Sequence, residues 1–294
     1  GCEAWLNGVR VGSHEGGATP VELDLTRAAR PGQDNALEVF IRARTRPAAI
    51  DHMSVYAYFE IAGIWRPIEV FAVDPVRVSR LNWAVAFDQD FRNADLTANC
   101  ALANARAEAL ADGRLETRLI DPDGKTVRTE AMTVALAPGE ERTVPVKMRV
   151  ASPEPWTAER PRLYTLEVSL NGAAVECPVG FREVTVSGKR FTINGRGAKL
   201  FGVCLHAADP VAGRAICPPL VEKDLGLIKG CNLNAIRTSH YPPTMELVEA
   251  ADKYGMYLEV EAPFCWVGAT DDLAELREVL VPTSAMVDYY HSHP

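Results

Sequence analysis

The sequence is poor in features that would assign it at a glance. It has no apolar run approaching a membrane-spanning helix. It has no cluster of five or more Lys and Arg, and 39 acidic against 31 basic residues leave a net charge of −8. No nucleic-acid or membrane partner is therefore expected. No signal peptide is visible, but Gly1-Cys2-Glu3 does not look like a natural start, which leaves cytoplasm and periplasm both open. Asn-x-Ser/Thr acceptors are absent. The seven cysteines are scattered and form no C-x-x-C pair, which predicts reduced, mostly buried thiols and no disulfide framework. There is no H-E-x-x-H and no G-x-S-x-G. Gly195-Arg196-Gly197 lacks the third glycine of a dinucleotide loop and sits in a predicted hairpin. His291-Ser292-His293 offers ligand types without acidic company. No metal site and no organic cofactor are expected.

What remains is ordinary globular composition, 47% hydrophobic and 24% charged, with room for two or three domains. Residues 1–74 read as strands and turns. Trp5-Leu6-Asn7-Gly8-Val9-Arg10 predicts a hairpin, because Asn-Gly accepts positive φ at both turn positions. Alternation predicts further strands at 21–25, 37–42 and 64–70. From 75 to 184 a second all-β block follows, with strands at 115–120, 141–150 and 163–170. Its turns are Asp121-Pro122-Asp123-Gly124 and Asn171-Gly172. Regular spacing of short strands over that length suggests an immunoglobulin-like sandwich.

After a hairpin at Asn194-Gly195 the texture changes. Val221, Leu225 and Ile228 form one helical stripe, and Leu247, Ala251 and Tyr254 a second, ended by Gly255. Leu273, Leu276 and Leu280 form a third, which Pro282 is expected to halt, with a separate last helix over 284–290. Strands alternating with helices after that hairpin imply parallel pairing.

Polar groups close these parallel strands: Leu205-His206, Arg237-Thr238-Ser239-His240-Tyr241 and Glu259-Val260-Glu261. In a β/α barrel that edge carries the chemistry. Arg237 has the geometry to bind a carboxylate through two parallel hydrogen bonds, and His240 to donate to a hydroxyl or an acid. A polar loop holding an incidental Arg and His is the simpler alternative. His206 is a strand-end histidine, more often structural than functional. Glu261, between Val260 and Ala262-Pro263-Phe264, must be paired, and Arg237 is the candidate partner. A purely structural ion pair fits equally well. Trp266 either stacks on a sugar ring or plugs the barrel mouth.

Taken together these stretches resemble glycoside hydrolase family 2, the family of β-galactosidases, β-glucuronidases and β-mannosidases. The resemblance rests on Phe191-Thr192-Ile193-Asn194-Gly195, Asp209-Pro210 with Gly213-Arg214, Asn234 to Pro242, and Asp252-Lys253-Tyr254-Gly255-Met256-Tyr257. Upstream, Gly63-Ile64-Trp65-Arg66-Pro67, Trp5-Leu6-Asn7-Gly8 and His14-Glu15-Gly16-Gly17 resemble the family's N-terminal domain. The resemblance implies a multidomain β plus α/β chain. A partial jelly-roll-like β-sandwich would cover 1–74 and an immunoglobulin-like β-sandwich 75–184. The first three βα units of a TIM barrel would cover 185–294.

It also implies a retaining hydrolase acting on a β-glycoside or oligosaccharide, in which two glutamates about 5 Å apart do the chemistry. Both are expected after Pro294, so the chain reads as an inactive fragment of a parent that is a possible homo-oligomer. A non-catalytic carbohydrate-binding or interaction protein is the alternative. By resemblance Arg237 supports the nucleophilic carboxylate, His206 and His240 contact sugar hydroxyls or stabilise the site around them, and Glu261 belongs to the inner polar network. Two departures stand out. Cys265 and Val267 occupy places where some members carry magnesium ligands, and Leu205-His206-Ala207 replaces the Arg-His-Glu of some β-galactosidases.

Overall fold

A computed structural model describes residues 1–16, 19–42, 63–264 and 271–294. The first region holds a three-stranded antiparallel sheet ordered β2-β1-β3, from β1 (Cys2–Leu6), β2 (Val9–His14) and β3 (Leu37–Ile41). The Asn7-Gly8 hairpin forms as expected, with φ of 53° and 79°. Two expected strands do not form. At 21–25 the chain runs without a ladder: the Asp24 carboxylate takes the Thr26 N–H at 2.8 Å, and the Leu25 carbonyl takes two N–H groups at 3.0 and 2.9 Å. Local side-chain and turn bonds have displaced sheet pairing there. At 64–70, Pro67 offers no ladder donor, and Trp65 and Arg66 reach instead toward the α/β region.

Seven strands then build a two-sheet sandwich: β4 (Val76–Phe87), β5 (Asn93–Asn104), β6 (Leu110–Ile120), β7 (Thr126–Leu136), β8 (Glu141–Ala151), β9 (Leu163–Leu170) and β10 (Ala173–Gly180). One sheet is ordered β4-β5-β8, the other β10-β9-β6-β7. Buried residues alternate along β6, β8 and β9, and Leu96, Leu102, Leu119, Met148, Leu166 and Phe181 meet in one fully buried core. Tyr164, near the start of β9, accepts the Glu154 N–H on its hydroxyl at 3.0 Å, the bond of a tyrosine corner.

A small antiparallel sheet of β11 (Val184–Ser187), β12 (Arg190–Ile193) and β13 (Arg196–Gly197) leads into the α/β region. There β14 (Gly202–Leu205), β15 (Ala235–Thr238) and β16 (Tyr257–Val260) pair in parallel in chain order. They alternate with α1 (Pro218–Gly230), α2 (Met245–Tyr254) and α3 (Leu273–Tyr290). The stripes of α1 and α2 do what their spacing predicts: Val221, Leu225, Leu247 and Ala251 close over Ile236 and Met256, whereas Leu273, Leu276 and Leu280 of α3 stay exposed. Gly255 ends α2 in the left-handed region at φ 75°.

Pro282 does not halt the third helix but lies inside it, and the expected separate helix is its continuation. The proline removes the donor that would serve the Glu278 carbonyl, and the Thr283 hydroxyl donates to the next carbonyl, that of Val279, at 2.7 Å. The cysteine expectation is corrected in part. All six described cysteines are free, but Cys204, Cys217 and Cys231 are exposed. Cys204 lies on the sheet face away from the helices, and Cys217 and Cys231 flank α1.

The sandwich and the α/β region are riveted around Trp156. Its indole, fully buried, donates to the Asp252 carbonyl at 2.9 Å and packs edge-on against Tyr257 at 5.6 Å. Lys229 clamps the same seam by donating to the carbonyls of Ala158 and Gly255 at 2.8 and 2.7 Å.

Candidate functional site

Parallel register aligns the strand ends. Leu205, Thr238 and Val260 sit abreast, so the residues that follow them, His206, Ser239 and Glu261, emerge on one rim. One step earlier Cys204, Arg237 and Glu259 are abreast. Side chains alternate along a strand. Ile236 packs into the helix layer, and Arg237 is thrown to the opposite, open face.

Four of the five expected site residues come together. Arg237 forms an ion pair with one oxygen of Glu261 and lies 3.6 Å from Glu259. The other Glu261 oxygen faces His240 Nδ1 at 2.9 Å. The Glu261 N–H donates to the Thr238 hydroxyl at 3.2 Å, which fixes the carboxylate's backbone. The His206 ring stands edge-on to His240, with centroids 5.3 Å apart. The fifth residue, Trp266, lies outside the described residues, as do Cys265 and Val267.

Glu261 is the more sheltered partner, 17% exposed against 43% for Arg237. The cation therefore presents its remaining donors to the open face while the acid holds it. Contact with the Cys204 sulfur at 3.9 Å, and then the Glu261 charge, push the Arg237 pKa above its ordinary value. His206 is moved the other way. Burial disfavours its imidazolium, and His240 and Arg214 add positive field. Its neutral form, with one donor and one acceptor, is favoured for hydrogen bonding to hydroxyls.

Several supporting residues were missed by sequence reasoning. Tyr241, only 5% exposed, accepts the Ala207 N–H on its hydroxyl at 3.0 Å, tying the His206 turn to the His240 turn. The Arg214 guanidinium lies 5.1 Å from the Tyr241 ring centroid. Both residues belonged to quoted motifs, but no local pattern marks either contact. The expectation for His293 is corrected. It has acidic company, because its Nδ1 lies 2.6 Å from the Asp252 carboxylate in a buried pair between α2 and the chain end. Sequence separation of 41 residues hides that partner. Among the described residues no group of three or more His, Cys, Asp or Glu is placed to hold a metal ion. No described helix is long and apolar enough to cross a membrane.

Comparisons with known proteins agree along the chain. The family described as "Glycosyl hydrolases family 2" matches residues 76–182, and "Glycosyl hydrolases family 2, TIM barrel domain" matches 184–286. A beta-galactosidase of Priestia megaterium is 31% identical over 288 residues, covering 95% of this chain and 27% of that protein. A beta-glucuronidase of Paenibacillus borealis is 30% identical over 285 residues, covering 88% and 44%. The chain thus spans less than half the length of either relative. The solved structure of Bacteroides uniformis beta-glucuronidase 2 superimposes with a TM-score of 0.84 at 25% identity, covering 100% of this chain and 36% of that one. A beta-glucuronidase from glycoside hydrolase family 2 shares the fold at a TM-score of 0.85 and 22% identity, covering 100% and 33%.

Proposed function

Because the chain belongs to glycosyl hydrolase family 2, we propose that its rim is the non-nucleophilic wall of a pocket for a β-linked sugar, in a protein that hydrolyses O-glycosyl bonds with retention. The observation that carries this is Arg237, held by Glu261 on the open face of the parallel sheet. A cation fixed in that place keeps a neighbouring carboxylate ionised and aimed. Retention needs such a carboxylate as nucleophile and a second about 5 Å away as acid and base. Glu261 is suited to neither task, since both its oxygens are engaged, by Arg237 and His240. His206 and His240 hydrogen-bond sugar hydroxyls in this reading.

The two reacting glutamates are assigned outside these 294 residues, and the chain alone is expected to be inactive. The relatives' greater length supports that assignment. We also propose domain limits at 1–74, 75–184 and 185–294. They are supported by the matched family spans.

The test uses nitrophenyl β-galactoside and β-glucuronide. No release above the buffer rate is expected from the 294-residue chain, and measurable turnover would refute its inactivity. Titration with either glycoside is expected to move the ring signals of His206 and His240 in a histidine-labelled sample, and Arg237→Gln to abolish the change. Unmoved rings at saturating sugar would overturn the assignment of the rim.

A further inference from the structure

The turn that carries His240 cannot brace itself. Pro242 and Pro243 have no N–H groups, so the segment closes few backbone bonds of its own. Its carbonyls are held from elsewhere. Arg66 donates from Nη2 to the Pro242 carbonyl at 2.7 Å, across 176 residues of sequence. The Tyr290 hydroxyl donates to the Pro243 carbonyl at 2.7 Å. Trp65 packs with Ala207 against the Tyr241 ring, on the residue whose hydroxyl receives the Ala207 N–H. His240 is the neighbour of Tyr241, and its Nδ1 lies 2.9 Å from Glu261.

We infer that Trp65 and Arg66, from the segment between the first sheet and the sandwich, are positioning residues for this rim. They fix the turn at 239–243 so that His240 and Arg237 engage opposite oxygens of Glu261. The inference rests on the proposed function for its meaning, because only a substrate-facing rim makes this geometry matter. It gives the N-terminal region a part in shaping the site. Arg66 is suited to the task. Its planar fork is pre-organised, so less side-chain freedom is lost per hydrogen bond than with lysine. Burial lowers its pKa from the ordinary arginine value, and the nearby Tyr290, Tyr241 and Glu246 counter that shift.

The experiment labels the imidazole Cε1 of all histidines and the amide of Ala207 in the full 294-residue chain. Arg66→Ala is expected to shift the ring signals of His240 and His206 and the Ala207 amide. His14 and His291 should stay in place, and Arg66→Lys should restore part of the shift. Tyr241→Phe, which removes the acceptor for Ala207, is expected to move the same three signals. If Arg66→Ala does not fold, Arg66→Lys and Arg66→Gln carry the comparison, with the larger His240 shift expected in the glutamine variant. An unmoved His240 signal in the folded Arg66 variants overturns the inference. So does an equal movement of every histidine with no recovery in the lysine variant, which marks general packing. Should the unsubstituted chain bind no β-glycoside while Arg66→Ala still moves His240, the positioning role stands and the functional reading falls.

Discussion

Replacing Trp156 by Phe tests how the sandwich is fastened to the α/β region. The indole N–H serves the Asp252 carbonyl at 2.9 Å in a fully buried setting. Phe leaves that carbonyl without its donor, which costs about 1–3 kcal/mol. It also empties part of the indole's volume. At about 24 cal/mol per Å³, a loss of roughly 40 Å³ adds about 1 kcal/mol if nothing relaxes. The expected destabilisation is about 2–4 kcal/mol, a large share of the roughly 5–15 kcal/mol typical of native proteins. Trp83 supplies the control. It is 5% exposed, yet its indole nitrogen has no partner among the described residues. Trp83→Phe therefore loses volume but no hydrogen bond, and about 1 kcal/mol is expected from the same cavity coefficient. Urea unfolding followed by far-ultraviolet circular dichroism measures both variants without relying on the fluorophore removed. Comparing slopes as well as midpoints shows whether the unfolding unit has changed. If Trp156→Phe costs no more than Trp83→Phe, the rivet argument is wrong.

Two further outcomes follow from local geometry. Gly255→Ala puts a residue with a Cβ at φ 75°, with that Cβ 2.3 Å from the Ala158 carbonyl oxygen. A loss above about 2 kcal/mol is expected, against about 1–2 kcal/mol for Gly188→Ala, where only the left-handed backbone is strained and no atom lies within 4 Å. Thermal unfolding of the two variants checks this, and equal losses would refute the steric contact. His206 predicts a pH effect. Its folded pKa is lowered, first by burial and then by His240 and Arg214, so between that value and the ordinary 6.5 the unfolded chain binds more protons. This group's contribution to stability is complete above 6.5 and falls as pH drops through the window. Urea midpoints from about pH 5 to 7.5, bracketing the histidine range, should show a shallower pH slope in His206→Gln than in the unsubstituted chain. Parallel slopes would sink the argument.

The elements that were legible are those whose cause is local. Asn7-Gly8, Asn171-Gly172 and Asn194-Gly195 all adopt paired positive φ values, because a dipeptide decides that outcome. The stripes of α1 and α2 were legible because one periodicity both forms the helix and chooses its buried face. The errors arose where two local signals conflicted. At 21–25 the alternation of a strand competed with the turn chemistry of Asp24, and the turn prevailed. At Pro282 a helix breaker competed with a helical spacing that continues past it, and the helix prevailed.

The site divides along the same physical line. Arg237, Glu261 and His240 were legible together because parallel register converts equal strand endings into spatial neighbours. An acid in apolar company needs a nearby cation, and the adjacent strand supplied one. The parts that hold them were not legible. Arg66 lies 176 residues from the carbonyl it serves and His293 lies 41 from its carboxylate, and neither contact follows from any strand or helix period. Pro242-Pro243 nevertheless left a trace. Two consecutive residues without N–H groups leave a strand-end turn with fewer backbone bonds of its own. Donors from elsewhere are then free to hold it. Only the folded chain identifies them as Arg66 and Tyr290.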